Sequence, residues 1–256
     1  MDKTGELISQ DPAITAKVLQ LANSAVFGLE MQVSQPLEAI AYIGLETTKA
    51  LVLLAHTVSS FNKTKLPGFS VDELWRHSVS AGQMAQKIAL MEKGGLEVAE
   101  QAFAAGLLHD IGKLLLCANL PGLFAKTLAL AREEKCSYWD AEAQLFPNAG
   151  HAELGGCLLG IWGLPRPIVE AVALHHYPRQ LAGPGFHPLT AVHVADILDH
   201  EMNPDPSILV PTSIHAGYLA ELGLAHRADY WRRLCGAGEE HAPAGSKGIA
   251  ECRMRI

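Results

Sequence analysis

Ala104-Ala105-Gly106-Leu107-Leu108-His109-Asp110-Ile111-Gly112-Lys113 is the stretch on which the reading of this chain turns. An apolar, small-residue run ends in a histidine directly followed by an aspartate, then by a glycine and a lysine. Adjacent helical side chains point about 100° apart, so His109 and Asp110 can face one ion only near a helix end. Gly112 is expected to supply that end by taking the left-handed conformation. Neutral imidazole and carboxylate both suit borderline divalent metals. On its own the dipeptide also admits a plain reading, with Asp110 as a local cap and His109 as a satisfied core histidine.

The rest of the chain changes that balance. Its 256 residues make room for one large domain or two small ones, and 49% of them are hydrophobic. Ala, Leu and Gly are abundant while aromatics are few, which suits closely packed helices better than a sheet. No period-two segment with turn glycines requires a strand. The net charge of −7 argues against a phosphate-backbone partner, so no nucleic acid is expected. The five scattered cysteines form no C-x-x-C pair and fit a reducing compartment. The polar start lacks the apolar core of a signal peptide. The short apolar run from Ala50 to Ala55 is bracketed by Lys49 and His56 and is too short to cross a bilayer. A soluble, cytoplasmic chain with no membrane contact is therefore expected.

Helix signals follow in order. Asp11-Pro12 caps and opens a helix that ends near Asn23, and Phe27-Gly28 breaks the pattern. Pro36 opens a short helix that Gly44 closes, and Leu45 to Phe61 carries the next apolar stripe. Lys65-Leu66-Pro67-Gly68 reads as a loop. Ser70-Val71-Asp72-Glu73 has the form of a capping box for a helix to about Glu92. Lys93-Gly94-Gly95 turns the chain into the helix that delivers His109-Asp110. Further helices are expected over 123–135 and 148–162, where Gly150, Gly155, Gly156 and Gly160 would permit close helix contact. Another runs from Leu164-Pro165-Arg166-Pro167 to His175-His176, and one starts at Pro188. The last predicted helical segment is 207–222. Residues 236–256 lose apolar periodicity and are expected to form a disordered tail.

Several of these helices carry ligand-type side chains beside apolar stripes: His77, His109 with Asp110, His151, His175 with His176, and Asp196. Each has a dull explanation alone, such as a boundary histidine at 77, a cap at 151, or a dipole-favoured pair at 175 and 176. Asp196, between Val194-Ala195 and Ile197-Leu198, sits where an unpaired carboxylate would be costly. His193 and His200 share its helix face and are expected to support it. A common ion explains the set better than a series of separate accidents.

The ordered set of Ile8-Ser9-Gln10-Asp11-Pro12-Ala13, Leu21-Ala22-Asn23-Ser24-Ala25, Trp75-Arg76-His77-Ser78, the His109-Asp110 stretch, His151-Ala152-Glu153-Leu154-Gly155, His175-His176-Tyr177-Pro178 and His193-Val194-Ala195-Asp196 resembles one family. It is similar to the HDOD (HD-related output domain) group of the HD metal-dependent phosphohydrolase superfamily, over about residues 9–222. The resemblance implies an all-α fold, an HD-type helical bundle with a smaller N-terminal helical segment. The implied division is 1–64, 65–235 for the metal-site core and C-terminal helices, and 236–256 for the tail.

In active HD enzymes the roles of His77, His109, Asp110 and Asp196 are to bind one metal. His151, His175 and His176 match the additional histidines of two-metal relatives. Glu73 resembles a further ligand but serves equally well as the partner of Ser70. The resemblance implies catalytic roles for Asp110 and Lys113, the lysine facing a substrate phosphate. One or two divalent transition metals are expected, with Fe, Mn, Zn, Ni and Co all admitted by the donor set.

HD-GYP enzymes that cut cyclic di-GMP carry a Gly-Tyr-Pro signature after the paired histidines. Here Tyr177-Pro178-Arg179-Gln180-Leu181 stands instead, so that substrate is not supported. HDOD members act as signalling outputs, often attached to receiver domains. This chain starts late against the pattern, which points to a trimmed chain, a start read too far downstream or a missing N-terminal receiver-type domain. Two functions follow: a metal-binding output module that passes a signal to a protein partner, and a phosphohydrolase acting on a nucleotide or phosphoester. The module is preferred.

Overall fold

A computed structural model describes residues 8, 12–23, 32–61, 68–92, 94–147, 149–181, 183, 185–203 and 213–236. Among them there is no extended strand, and the chain is all-α. Its described residues divide into two compact units, one within residues 1–56 and one within residues 57–236. The break at Phe27-Gly28, the loop at 65–67 and the tail beyond Gly236 lie outside the described residues.

In the first unit, α1 (Pro12–Ala22) and α2 (Pro36–Ile43) pack together, and α3 (Leu45–Phe61) begins. Asn23, just past α1, ties the two: its Nδ2 donates to Val33 O at 2.7 Å and its Oδ1 accepts from Val33 N–H at 2.6 Å. Glu38 at the third helical position accepts from the Gln35 N–H at 3.1 Å, which covers an N–H that the helix start leaves unpaired. Gly44, at φ 90°, ends α2 where its sequence position predicts.

The second unit is built on α4 (Val71–Met91) and α5 (Gly95–Leu108), which pack closely. Ser70 Oγ accepts from the Glu73 N–H at 3.2 Å, half of the capping box expected there. Every residue of α5 from Ala102 to Leu108 is buried. Small side chains explain how its backbone reaches α4: a Cβ on Gly106 would stand 2.8 Å from Gly82 Cα, and one on Gly82 would stand 3.1 Å from Phe103 O.

Around this pair lie α6 (Ile111–Asn119), α7 (Pro121–Glu134), α8 (Tyr138–Leu145), α9 (His151–Ile161), α10 (Arg166–Leu174) and α11 (Pro188–Met202). The short α12 (Ala216–Glu221) and α13 (Ala228–Gly236) follow. Trp231 of α13 is fully buried, and its indole N–H donates to Glu92 Oε1 at 2.8 Å, which fastens α13 to the end of α4.

Three expectations need correction. Gly112 does not end a helix in the left-handed conformation; it lies inside α6, and its φ is not positive. A glycine is needed there because a Cβ would fall 1.9 Å from His151 O, so α6 and α9 meet main chain to main chain. Helix does not run through 213–215, where the described residues are irregular and His215 caps α12 by accepting from the Tyr218 N–H at 3.1 Å. Of the glycines in 150–160, Gly155 and Gly156 make the expected close contacts, but Gly160 is exposed with only Val169 at 3.9 Å.

Candidate metal centre

The junction between α5 and α6 sets the site. His109 and Asp110 are the two residues between those helices, so the turn aims both side chains to one side. His77 comes from α4, His151 is the first residue of α9, His175 and His176 follow α10, and Asp196 is on α11. The close backbone approaches at Gly106, Gly112 and Gly156 join α5 to α4, α6 to α9 and α9 to α10, and α11 packs against both α4 and α5. Seven side chains named from the sequence thereby converge.

They form overlapping groups whose ligand-type atoms lie within 4.8 Å of one another: His77, His109 and Asp196; His109, Asp110 and His175; and His151, His175 and His176. Asp110 spans them. Its Oδ2 is 3.5 Å from His109 Nε2 and 3.8 Å from His77 Nε2, while its Oδ1 is 3.2 Å from His151 Nε2. Asp196 Oδ1 is 3.3 Å from His77 Nε2 and 3.5 Å from His109 Nε2. Lys113 Nζ is 2.6 Å from Asp110 Oδ2 and lies over the Tyr138 ring. Glu73 stands on the wall of the adjoining cavity and belongs to none of the three groups.

The imidazoles are held from behind. His77 Nδ1 donates to Asp199 Oδ2 at 2.6 Å, His109 Nδ1 to Gly106 O at 2.8 Å, His151 Nδ1 to Glu142 Oε2 at 2.6 Å and His175 Nδ1 to Val172 O at 2.7 Å. With Nδ1 carrying the proton, Nε2 of each neutral ring presents a lone pair to the interior. That is the arrangement that orients metal-bound histidines. His77 Nε2 and His109 Nε2 then face each other at 3.1 Å, a contact that requires a proton or a cation between them. His175 Nε2 is buried without a hydrogen-bond partner. The donor set therefore fits a divalent ion.

Electrostatics agree with the geometry. Burial alone would push the two aspartates up, but the histidines and Lys113 hold Asp110 well below the ordinary carboxylate range, and His109, His200 and His77 do the same for Asp196. Burial opposes charge on His77, yet its bonds to Asp196 and Asp199 raise it to about 9. Glu142 and Asp110 likewise outweigh burial and raise His151 to about 9. Burial, His109 and His151 together push His175 down to about 3, and His176 is lowered by burial with His175 and His151. Without an ion, protons on His77 and His151 balance the carboxylates.

Two supporting carboxylates escaped the sequence reading. Asp199, three residues from Asp196 and so on the same face of α11, also accepts from Asn203 Nδ2 at 2.8 Å and is thereby fixed behind His77. Glu142 lies on α8, a helix that went unassigned although Ser137 and Asp140 form a capping box at its start. Of the two residues expected to support Asp196, His200 does so, with its Nε2 at 3.3 Å from Oδ1. His193 instead donates from Nδ1 to His175 O at 2.7 Å and accepts at Nε2 from the His215 N–H at 3.0 Å. Replacing Asp199 or Glu142 with its amide is expected to weaken metal binding about 10- to 100-fold, because each fixes a histidine tautomer. Competition with a chromophoric chelator measures it, and an unchanged affinity in both variants would refute the role.

An all-helical bundle with converging His and Asp side chains defines a class, and the sequence comparisons give it a family. The HDOD domain model matches residues 1–178, and the chain belongs to that family. Asp196 lies beyond the matched stretch. An uncharacterized protein of Treponema pallidum (strain Nichols) is 27% identical over 170 residues, 66% of this chain. The chain spans about a third of that relative's length (32%).

An HDOD domain protein of unknown function from Geobacter sulfurreducens superposes with a TM-score of 0.68 at 26% identity, covering 93% of this chain and 78% of that one. A candidate phosphohydrolase from Shewanella amazonensis SB2B gives 0.62 at 23% identity, covering 91% and 84%. A candidate signal transduction protein from Marinobacter aquaeolei VT8 gives 0.63 at 21% identity, covering 91% and 53%. The last two likenesses establish the fold. No single helix among the described residues is long and apolar enough to cross a membrane.

Proposed function

We propose that this chain is a signalling output module built around a metal centre, with His77, His109, Asp110 and Asp196 holding one ion and Asp110, His151, His175 and His176 holding a second. The observation that carries this reading is the inward lone pair on His77, His109, His151 and His175, whose Nδ1 atoms are tied down behind. A partner protein would read the state of the domain, and the likeness to a candidate signal transduction protein is consistent with that role.

A second reading, hydrolysis of a phosphoester, is favoured by one feature: a cavity lined by His77, Asp110 and Lys113 reaches the edge of the centre. A bound ion would supply Lewis acidity and lower the pKa of a water. Lys113 would hold the phosphate, Asp110 would keep the lysine charged and placed, and Asp199 would keep His77 aimed inward. A site closed by its protein ligands keeps no position for water, and a catalytic one does.

Elemental analysis of untagged protein purified without chelator tests the metal centre, with His109→Ala alongside. About one or two transition-metal ions per chain are expected, lost in the variant. Folded wild-type protein that carries no metal after anaerobic loading would overturn the reading. Capture of a specific partner by the loaded form alone is the result expected of a module, and turnover of phosphoesters that disappears with the metal is the result expected of an enzyme.

A further inference from the structure

The cavity beside the centre has two unlike halves. One end is polar, with Asp110, Lys113, His77, Asp199 and His200. The other is walled by Phe69, Leu74, Phe124, Leu128, Ala131 and Tyr138. Its volume is about 70 Å³, and it opens to solvent at its mouth. This apolar wall is not loose surface. Phe124 and Leu128 belong to a buried cluster with Leu116 and Cys117, and Phe69 and Tyr138 pack against it. Phe69 meets Phe124 edge to face with ring centroids 4.9 Å apart, and Phe124 and Tyr138 are 5.5 Å apart. Gly68, at φ 82°, a conformation that favours glycine, turns the chain into this wall beside the Arg132 guanidinium.

Charge narrows the ligand further. The cationic side chains on the lining are Arg76 and Lys113, and Lys113 is already paired with Asp110. Glu73 and Asp199 add negative charge. A single phosphoryl group at the polar end, carrying one uncharged apolar group against the aromatic wall, matches both halves.

The geometry points to a ligand of that class: the phosphate ester of an aromatic or apolar alcohol, bound with its phosphoryl group between Lys113 and the metal centre and its organic group against Phe69, Phe124, Leu128 and Tyr138. The inference rests on the metal centre proposed above. It serves either reading, as the effector of a module or the substrate of an enzyme.

Calorimetric binding of three non-hydrolysable probes to metal-loaded protein tests it: inorganic phosphate, methylphosphonate and benzylphosphonate. Burial of a phenyl ring is expected to make benzylphosphonate at least about tenfold tighter than methylphosphonate. Ala131→Leu, which fills the cavity with an apolar side chain on a helix, and Leu128→Ala, which opens the wall, are both expected to shrink that ratio. Circular dichroism confirms that each variant is folded, and the two alter the wall in opposite directions, one by filling it and one by opening it.

Equal affinities for the two phosphonates, with inorganic phosphate still bound, overturn this inference and leave the metal centre standing. Loaded protein that binds none of the three overturns the phosphoryl site as well. A ratio that survives in both folded variants shows that the phenyl ring lies elsewhere and sinks the assignment.

Discussion

Gly112→Ala is expected to lower the melting temperature by about 6–12 °C and to strip metal from the protein that remains folded. The added Cβ would sit 1.9 Å from His151 O and 2.7 Å from its carbonyl carbon. Both are main-chain atoms in the first turn of α9, so no rotamer change can relieve the clash. Overpacking against yielding side chains costs about 1–3 kcal/mol, and main chain that cannot yield places this variant at the upper end or above. For a chain of this size each kcal/mol corresponds to roughly 2–4 °C.

The strain enters the metal centre at two points, since His151 supplies the carbonyl and Asp110 precedes Gly112 by two residues. Gly160→Ala, in the same α9, is the control. Only Val169 at 3.9 Å is near, so removing a helical glycine should stabilise by about 0.5–1 kcal/mol. Scanning calorimetry and metal content measure both. A Gly112→Ala protein that melts within about 2 °C of wild type with its metal retained would disprove the main-chain contact.

Gly112 also shows where sequence reasoning stops. A glycine three residues after a histidine at a helix end reads naturally as a left-handed stop. The real demand comes from α9, which is about forty residues away in the chain, and no local pattern contains it. The missed helices have a related cause. Ile111–Asn119 is nine residues, buried at most positions and close to continuously apolar at its centre, so it offers no 3.6-residue period to read. Tyr138–Leu145 is eight residues, too short for periodicity, yet its Ser137/Asp140 capping box was there to be found. Helix starts marked by proline at Pro36 and Pro188, and the serine cap before Val71, were legible because capping chemistry is local.

The metal-centre residues divide in the same way. Histidines and aspartates on apolar faces stand out because burying them alone is costly. Asp199 and Glu142 do the less conspicuous work of aiming rings, and only the folded arrangement pairs them with His77 and His151. His193 was the reverse error. Its spacing from Asp196 put it on the right helix, but its ring spans from His175 O to the His215 N–H and so holds the carbonyl side of a proposed ligand.

Asp110→Ala is expected to remove essentially all bound metal, whereas His176→Ala should remove no more than one ion per chain. The difference follows from position. His176 belongs to one of the ligand groups, with its Nε2 3.1 Å from His151 Nε2, while Asp110 turns one oxygen toward His77 and His109 and the other toward His151. Loss of a carboxylate that the two proposed ions would share withdraws a ligand and a negative charge from each.

The substitution also strands the Lys113 ammonium, which is mostly buried and paired with Asp110 at 2.6 Å. Breaking such a pair costs about 3–5 kcal/mol, enough to be mistaken for a metal effect on stability. The double variant Asp110→Ala/Lys113→Met separates the two, because it removes the stranded charge without returning a ligand. Its stability should recover most of that loss in chelator-treated protein, while its metal content stays as low as that of Asp110→Ala. Elemental analysis beside thermal melts of all three variants reads the result. Metal retained at half the wild-type level in Asp110→Ala would mean that the two groups bind independently and that Asp110 serves only one of them.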